Sequence, residues 1–296
     1  MSNKRKFFIG FGVYVLGIVI LVAVAGTGKK NETYQPQNEF KLEPWIDLPG
    51  PFDINKAVVY VILSAALTVA AMIWIARRMR QRPNRVQTAV ETVFNLMRDN
   101  ITRLNMDERM ATKWFPFIAT LFLFIWISNL IGYIPFPTNT EHPVQVFGIE
   151  IPSLAIYAAT ANLSVPLMLA LVVFIAFTVE GVRAKGPIGY LKGLIPSGIE
   201  GGMAAFIFAL ELFSNILRLI SLSVRLFANI LAGHLIILFM AGGIAVLLGF
   251  PAIGWVTLPL GVILFIFEVG LVATLQAFIF ATLTAIYFGG AVARDH

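Results

Sequence analysis

The feature that most constrains this chain is a series of apolar blocks, each about 20 residues or longer, separated by short polar segments. Blocks of that length match the thickness of the hydrocarbon core of a bilayer, whereas apolar residues on a soluble helix recur every three or four positions. Of the 296 residues, 58% are hydrophobic and only 13% are charged, about half the charged share of a soluble domain. The sequence therefore predicts an all-α integral membrane protein with five to six membrane-spanning helices.

The first 55 residues are predicted to form an anchor or signal segment followed by an external loop. A basic start, Lys4-Arg5-Lys6, precedes an apolar run at 7–25 that ends in small residues, as a cleaved signal peptide does. The run is longer than the hydrophobic part of most signal peptides, which favours a retained anchor, and both alternatives stay open. Prolines interrupt the polar stretch 26–55 and predict a loop.

The densest basic cluster follows a second predicted span at about 57–76 and indicates the cytoplasmic side, where the flanks of spans are rich in lysine and arginine. It comprises Arg77, Arg78, Arg80, Arg82 and Arg85. The net charge of +6 therefore indicates membrane orientation, not nucleic-acid binding. The loop from about 136 to 153, which follows the third predicted span, lacks lysine and arginine and is predicted to be external. The crossings then alternate, and both termini are cytoplasmic if residues 1–25 are retained.

Residues 56–112 are predicted to contain that span and an amphipathic helix on the cytoplasmic membrane surface. Apolar residues recur there at steps of three and four: Val86, Val90, Val93, Met97, Ile101 and Leu104. Residues 113–296 are predicted to form a channel domain. Its third and fourth spans are expected at about 114–135 and 155–179, before a nearly continuous apolar run from 201 to 290.

Five ionisable residues interrupt that last run: Glu211, Arg218, Arg225, His234 and Glu268. A charge at the bilayer centre costs at least about 2.5–3.5 kcal/mol, so such residues are functional by default. Glu211, Arg218 and Arg225 are spaced by seven, which places them along one face of a helix. Arg218 is equally compatible with a side chain that reaches the membrane edge.

The break at Gly249-Phe250-Pro251 predicts that the last two helices, both long and tilted, form an antiparallel hairpin. Residues that face each other across such a hairpin have residue numbers with a constant sum, here about 501. Arg225 then lies level with Gln276, and His234 with Glu268. The two pairs are separated along the helices and fit two aqueous compartments better than one continuous pore. A helix-locking role for His234 with Glu268, and a bridging role for Gln276, stay open.

An enzyme is the least favoured class, because no nucleophile set, phosphate loop or metal-ligand cluster is recognisable and cysteine is absent. No cofactor is predicted. A secondary ion transporter is a weaker alternative, since such folds show internal repeats and none is evident. An ion channel is disfavoured because pores are lined by rings of like groups, whereas this chain offers a lone arginine.

Two long motifs carry a family resemblance. Ser221-Leu-Ser-Val-Arg-Leu-Phe-Ala-Asn-Ile-Leu-Ala-Gly-His-Leu-Ile236 closely resembles the signature of ATP synthase subunit a, and Leu275-Gln-Ala-Phe-Ile-Phe-Ala-Thr-Leu-Thr-Ala-Ile-Tyr287 is similar to the second signature of that family. Weaker likeness continues upstream, through Asn129 and Asn162, and the resemblance spans roughly 110 to 290. The first 50 residues carry none of it.

The resemblance implies a stationary, non-catalytic subunit of a rotary F-type ATP synthase in the bacterial plasma membrane. Arg225 would face a rotating ring of c subunits, with the hairpin against that ring, and two half-channels would carry protons to and from the ring carboxylates. Peripheral-stalk b subunits, the rest of the complex and the lipid bilayer would be its other partners. Whether the ion is a proton or sodium stays open, because the ring carboxylates largely decide it.

The resemblance also assigns roles to single residues. Gln276 would lie near Arg225, His234 and Glu268 would line the outer half-channel, and Glu211 the inner one. Asn129, Asn162 and Asn229 are weaker channel-lining candidates, and helix packing is the favoured role for the first two. Well-known bacterial relatives carry a carboxylate where His234 stands and a histidine where Glu268 stands. The exchange keeps a His/Glu couple and leaves open which member relays the proton.

Overall fold

The computed structural model describes residues 44–46, 54–79, 83–134, 144–146, 149–151, 158–195, 199, 201–240 and 251–293, with isolated positions between 5 and 20. Within those residues, five helices are long and apolar enough to cross a membrane. The predicted class, an all-α protein with multiple spans, is therefore confirmed. The anchor expected at 7–25 lies outside the continuously described segments and stays a prediction.

The helices follow the apolar blocks of the sequence. In chain order they are α1 (Lys56–Arg78), α2 (Arg85–Asn95), a π-helix (Leu96–Arg103), α3 (Glu108–Gly132), a 3-10 turn (Ala159–Ala161), α4 (Ser164–Lys185), α5 (Pro187–Lys192), α6 (Gly202–Leu238), α7 (Pro251–Phe267), a second π-helix (Glu268–Val272) and α8 (Ala273–Val292). Two antiparallel strand pairs lie in the segments predicted as external loops: β1 (Pro44–Ile46) with β2 (Ile54–Asn55), and β3 (Val144–Val146) with β4 (Ile149–Ile151).

The last two helical segments are longer than a bilayer requires. The 37 residues of α6 extend about 55 Å, against a hydrocarbon core of about 30 Å. The segment Thr257–Val292 is almost as long, with 36 residues. Helix α7 begins at Pro251, the predicted breaking point, because proline lacks only an N–H group that the first helical position does not need. Two long C-terminal helices are thus confirmed, and residues 241–250 between them lie outside the described part.

The starts of two spans differ from the prediction. The third span begins at Glu108, not at 114, because its first turn is polar and hydropathy alone does not detect it. The fourth begins at Ser164, not at 155. Its start is fixed by Asn162, whose side-chain oxygen accepts a hydrogen bond from the Ser164 N–H at 3.0 Å, and by Pro166 in the first turn.

The amphipathic segment changes helix type, which alters its apolar face. Met97 and Ile101 are buried as expected and Val90 and Val93 are partly buried, but Val86 and Leu104, predicted on the same face, are exposed, Leu104 by 75%. Residues 96–103 form a π-helix, in which hydrogen bonds join residues five apart and the three-to-four periodicity loses its phase. The hydroxyl of Thr102 likewise donates to the carbonyl of Met97, five residues earlier, at 2.7 Å. Its position on the membrane surface stays a prediction.

The chain divides into two compact units. The larger comprises Pro44–Ile134, Tyr157–Ile230 and Val272–His296, and its core lies where α8 packs against α3 and α4. Ile118, Ile125 and Phe280 are fully or almost fully buried there. The smaller unit comprises Met1–Glu43, Pro135–Ile156 and Leu231–Leu271.

Helix α1 has its polar side chains inside and its apolar side chains outside. Tyr60, Ser64 and Thr68, four residues apart, are buried, while Ile62 and Val69 are more than half exposed. The Ser64 and Thr68 hydroxyls donate to backbone carbonyls one turn earlier, each at 2.7 Å, so neither polar group is left unsatisfied. This distribution suits a helix whose outer face is solvated by lipid.

Candidate functional site

Arg225 lies on the outward side of α6. Leu222, Leu226 and Ile230 of the same helix are buried in the core of the larger unit, whereas Arg225 is exposed. The Ser223 hydroxyl holds this stretch against α4 by a 3.4 Å hydrogen bond to the Pro166 carbonyl. The Arg225 side chain is therefore exposed on the side of α6 that lies away from this core, and among the residues that the structure describes none forms a hydrogen bond or an ion pair with it.

The predicted polar stripe exists between Glu211 and Arg218. The Arg218 guanidinium donates to the Glu211 carboxylate at 3.3 Å and to the Asn215 side chain at 3.3 Å. Its central carbon lies 6.0 Å from the centre of the Tyr287 ring. Spacing by seven correctly predicted that Glu211 and Arg218 share a face.

These side chains line a cavity of about 660 Å³ between α4, α5, α6 and α8. Sequence reasoning missed two of its polar members, Asn215 and Lys185. The position of Asn215 could have been predicted from the sequence, because it stands four residues after Glu211 and three before Arg218 on the same face. The position of Lys185 could not have been predicted in this way, because only packing brings the end of α4 to this cavity.

His234 and Glu268 are both buried within the smaller unit, with exposed fractions of 3% and 9%. The Glu268 carboxylate lies directly against the backbone of Gly233, in space that a Cβ atom would occupy. The numbers 233 and 268 add up to the predicted sum, so this contact lies at the predicted level, while the antiparallel direction of the two segments stays a prediction. Gly233 was missed, although a glycine beside His234 at a facing position is a usable signal for close approach.

Gln276 is buried on α8, with 6% exposure. Among the residues that the structure describes, no hydrogen bond joins Gln276 to Arg225. The level of each residue along the predicted hairpin follows from the constant rise of a helix, but the direction in which its side chain points around the helix axis does not. The expected nearness of these two residues therefore stays a prediction.

The three asparagines have different surroundings. Asn129 is fully buried, donates to the Ala273 carbonyl at 3.3 Å and accepts from the Thr160 hydroxyl at 2.7 Å, which ties α3 to α8 and the 3-10 turn. Asn162 begins α4. Asn229 is exposed, one turn after Arg225. The contacts of Asn129 and Asn162 favour packing roles, while a channel role for any of the three asparagines stays a prediction.

The fold and the site together define a multi-spanning membrane protein with ionisable residues inside its spans. The model of one protein family, described as ATP synthase A chain, matches residues 58–289. The chain therefore belongs to the ATP synthase A chain family. Among the described residues, no three His, Asp or Glu side chains are grouped so that they could hold a metal ion.

Relatives described as ATP synthase subunit a are similar over most of their length. The protein of Rubrobacter xylanophilus is 36% identical over 237 residues, which cover 79% of this chain and 82% of the relative. That of Bradyrhizobium diazoefficiens is 33% identical over 271 residues, covering 88% and 98%. That of Parvibaculum lavamentivorans is 32% identical over 272 residues, covering 88% and 94%. The resemblance that the two motifs indicated is thus confirmed.

Proposed function

We propose that this chain is the stationary subunit of a rotary F-type ATP synthase and provides two aqueous half-channels for protons that ride on a ring of c subunits. The observation that carries the proposal is Arg225, exposed on an apolar helix that its own chain covers poorly. Ser221, Val224, Ala228 and Asn229 beside it are exposed as well, while the buried residues of this stretch lie on the other side of α6. A guanidinium directed at lipid is costly, so this face requires a partner that carries negative charge.

Arginine suits such a barrier for a chemical reason. Its guanidinium remains protonated and does not relay protons, whereas lysine or histidine can lose a proton. An arriving ring carboxylate would be attracted by Arg225 and held in its ionised form, because an opposite charge nearby favours ionisation. Direct passage of protons between the two half-channels would then be blocked.

The inner half-channel would be the cavity around Glu211 and Arg218. It is lined by a carboxylate, an amide and the Tyr287 phenol, which are groups that order water and pass protons. The ion pair between Glu211 and Arg218 is half-exposed, so water reaches both partners. Arg218 would shape the electrostatic potential of the cavity and leave proton transfer to Glu211.

The outer half-channel would be served by His234 and Glu268. Both are buried, and both belong to residue types that exchange protons. The close approach of Glu268 to Gly233 holds its carboxylate beside α6, one residue from His234. This placement supports a proton relay at the predicted register, with the order of transfer open.

The partners would be the c-ring, the peripheral-stalk b subunits and the catalytic head, which performs the ATP chemistry. The chain itself would be non-catalytic and would lie in a bacterial plasma membrane. The cytoplasmic side would be that of the arginine cluster between α1 and α2.

The test is Arg225→Ala in proteoliposomes that contain the whole complex, with proton pumping followed by dye quenching. We expect ATP-driven pumping to vanish while the detached head still hydrolyses ATP. Arg98→Ala is the matched control, because Arg98 is an exposed arginine outside the spans, and it should pump normally. Normal coupled pumping by Arg225→Ala would refute the assignment. Ion flux through the purified chain without a ring would favour a transporter or channel.

A further inference from the structure

We propose that a cavity at one end of α3, α4 and α8 binds the headgroup of an anionic phospholipid. The cavity has a volume of about 900 Å³ and is lined by four basic residues, Arg109, Lys113, Arg183 and Lys185. Of these, only Lys185 also lines the cavity of Glu211 and Arg218. The proposed site is therefore distinct from the residues assigned to proton passage.

The cavity carries an excess of positive charge. Lys113 is paired with the buried Glu180 carboxylate at 2.5 Å. Among the residues that the structure describes, Arg109, Arg183 and Lys185 form no ion pair, and Asp107 is the only other carboxylate in the lining. Three cations against one anion favour a negatively charged ligand. Arginines in particular match phosphate, because the guanidinium donates two parallel hydrogen bonds.

The start of α3 adds to this preference. Helix α3 is 25 residues long, and its first-turn N–H groups have no helix carbonyl to donate to. Asp107, which precedes the first turn, makes no capping hydrogen bond with its side chain. A phosphate oxygen beside Arg109 would satisfy these donors and interact favourably with the positive end of the helix dipole.

The surroundings of the cavity favour a lipid over a free anion. The cavity lies where three membrane spans end, which is the level of lipid headgroups. Leu104 lines it and is 75% exposed, and the buried Met106 and Met110 also contribute. Cations beside an exposed apolar side chain suit an amphiphile, with its phosphate on the arginines and its glycerol and acyl groups on Leu104.

The experiment measures binding of spin-labelled phosphatidylglycerol to the whole complex in phosphatidylcholine nanodiscs. In Arg109→Gln/Arg183→Gln, we expect the site to bind this lipid about 30-fold more weakly, roughly fivefold for each charge removed. Arg109→Lys/Arg183→Lys should retain most of the binding, because both charges remain. Arg98→Gln, which removes an exposed charge outside the cavity, should bind as the native complex does. Subunit content confirms assembly in each case.

Four results would overturn the proposal. They are unchanged binding in the double glutamine variant, an equal loss in Arg98→Gln, and an equal loss for spin-labelled phosphatidylcholine, which carries no net charge. The fourth is displacement of the lipid by millimolar inorganic phosphate, which would make this a free-anion site. If the double variant instead lost a protein subunit and kept the lipid, the cavity would be a protein interface. None of these outcomes depends on proton pumping.

Discussion

At the scale of single residues, the Glu268 carboxylate lies directly against the backbone of Gly233. The missing side chain of Gly233 lets the carboxylate approach the backbone of α6 beside His234. A buried carboxylate in a membrane helix is costly unless its surroundings are fixed, so small displacements matter. Gly233 is thus a positioning residue for Glu268.

Gly233→Ala tests this positioning. A Cβ atom there would overlap the Glu268 carboxylate, so we expect ATP-driven proton pumping in inverted vesicles to fall about tenfold or more. Gly270→Ala is the control, because a Cβ atom at Gly270 meets nothing within 4 Å, and its activity should stay within about twofold. Equal pumping by both variants would show that the position of the carboxylate does not limit the relay.

Asn129 supports the structure at the same scale. Asn129→Leu would leave the Ala273 carbonyl and the Thr160 hydroxyl without their partner in a buried site. We expect a loss of about 1–3 kcal/mol in the free energy of unfolding, measured by thermal denaturation of the complex. Adding Thr160→Val should recover part of it, because one unsatisfied group is then removed. An unchanged free energy of unfolding in Asn129→Leu would instead indicate that water satisfies these groups.

At the scale of elements, the ion pair between Lys113 and Glu180 joins the start of α3 to the end of α4. Glu180 has a side-chain exposure of only 8%, whereas that of Lys113 is 50%. The buried partner therefore depends on the exposed one for neutralisation. Among the residues that the structure describes, the second Glu180 oxygen, which is buried, has no hydrogen-bond partner, so the Lys113 ammonium is the main stabilising contact of this carboxylate.

Lys113→Met should destabilise the complex by roughly 2–3 kcal/mol, because it leaves a buried carboxylate unpaired. The value lies below that of fully buried pairs, since water already screens half of Lys113. In the double variant Lys113→Met/Glu180→Gln, most of the stability should return. Thermal denaturation followed by subunit release measures both. If the double variant were no more stable than Lys113→Met, the pair would not be coupled.

The contact of α8 with residues 104–106 also depends on a glycine. A Cβ atom at Gly289 would overlap the carbonyl oxygen of Asn105, which is backbone and does not move aside easily. We expect Gly289→Ala to cost about 1–3 kcal/mol of stability, which assembly and denaturation assays would detect. Its neighbour Gly290 has nothing within 4 Å, so Gly290→Ala should be nearly neutral. Similar losses in both would point to helix propensity or lipid contact instead.

At the scale of the whole molecule, one face of α6 is left exposed by the residues that the structure describes. Ser221, Arg225 and Asn229 follow one another at one-turn intervals and are exposed, while Leu226 and Ile230 of the same helix are buried. Under the proposed function, the rotor ring covers this face. The interaction is therefore expected to be restricted to one side of the helix.

Cysteine cross-linking tests that restriction, and the chain suits it because it contains no native cysteine. With a short thiol cross-linker and single cysteines in the ring helices, Ser221→Cys and Asn229→Cys should form products with the ring subunit. Leu226→Cys, at 1% exposure, and Ile230→Cys, at 0%, are the matched controls and should form none. Cross-linking from all four positions, or from the controls alone, would refute the proposed orientation of α6.

The sequence by itself determined the helical type of the spans and the presence of two long helical segments at the C-terminal end. The thickness of a bilayer and the constant rise of a helix are the same for every chain, so block length and residue sums suffice. Pro251 as the start of α7 and the shared helix face of Glu211 and Arg218 followed from such local rules. The register at Gly233 and Glu268 did as well.

Only the tertiary structure decided the rotation of each helix about its axis and the phase of the apolar face in the amphipathic segment. Packing of Leu222, Leu226 and Ile230 turns Arg225 outward, while the packing of α8 buries Gln276. The π-helix shifts the phase of the apolar face and leaves Leu104 exposed, because its hydrogen bonds span an extra residue, and the apolar spacing of the sequence does not reveal that change. Helix rotation and phase depend on many distant contacts at once, whereas a sequence pattern reports only near neighbours along the chain.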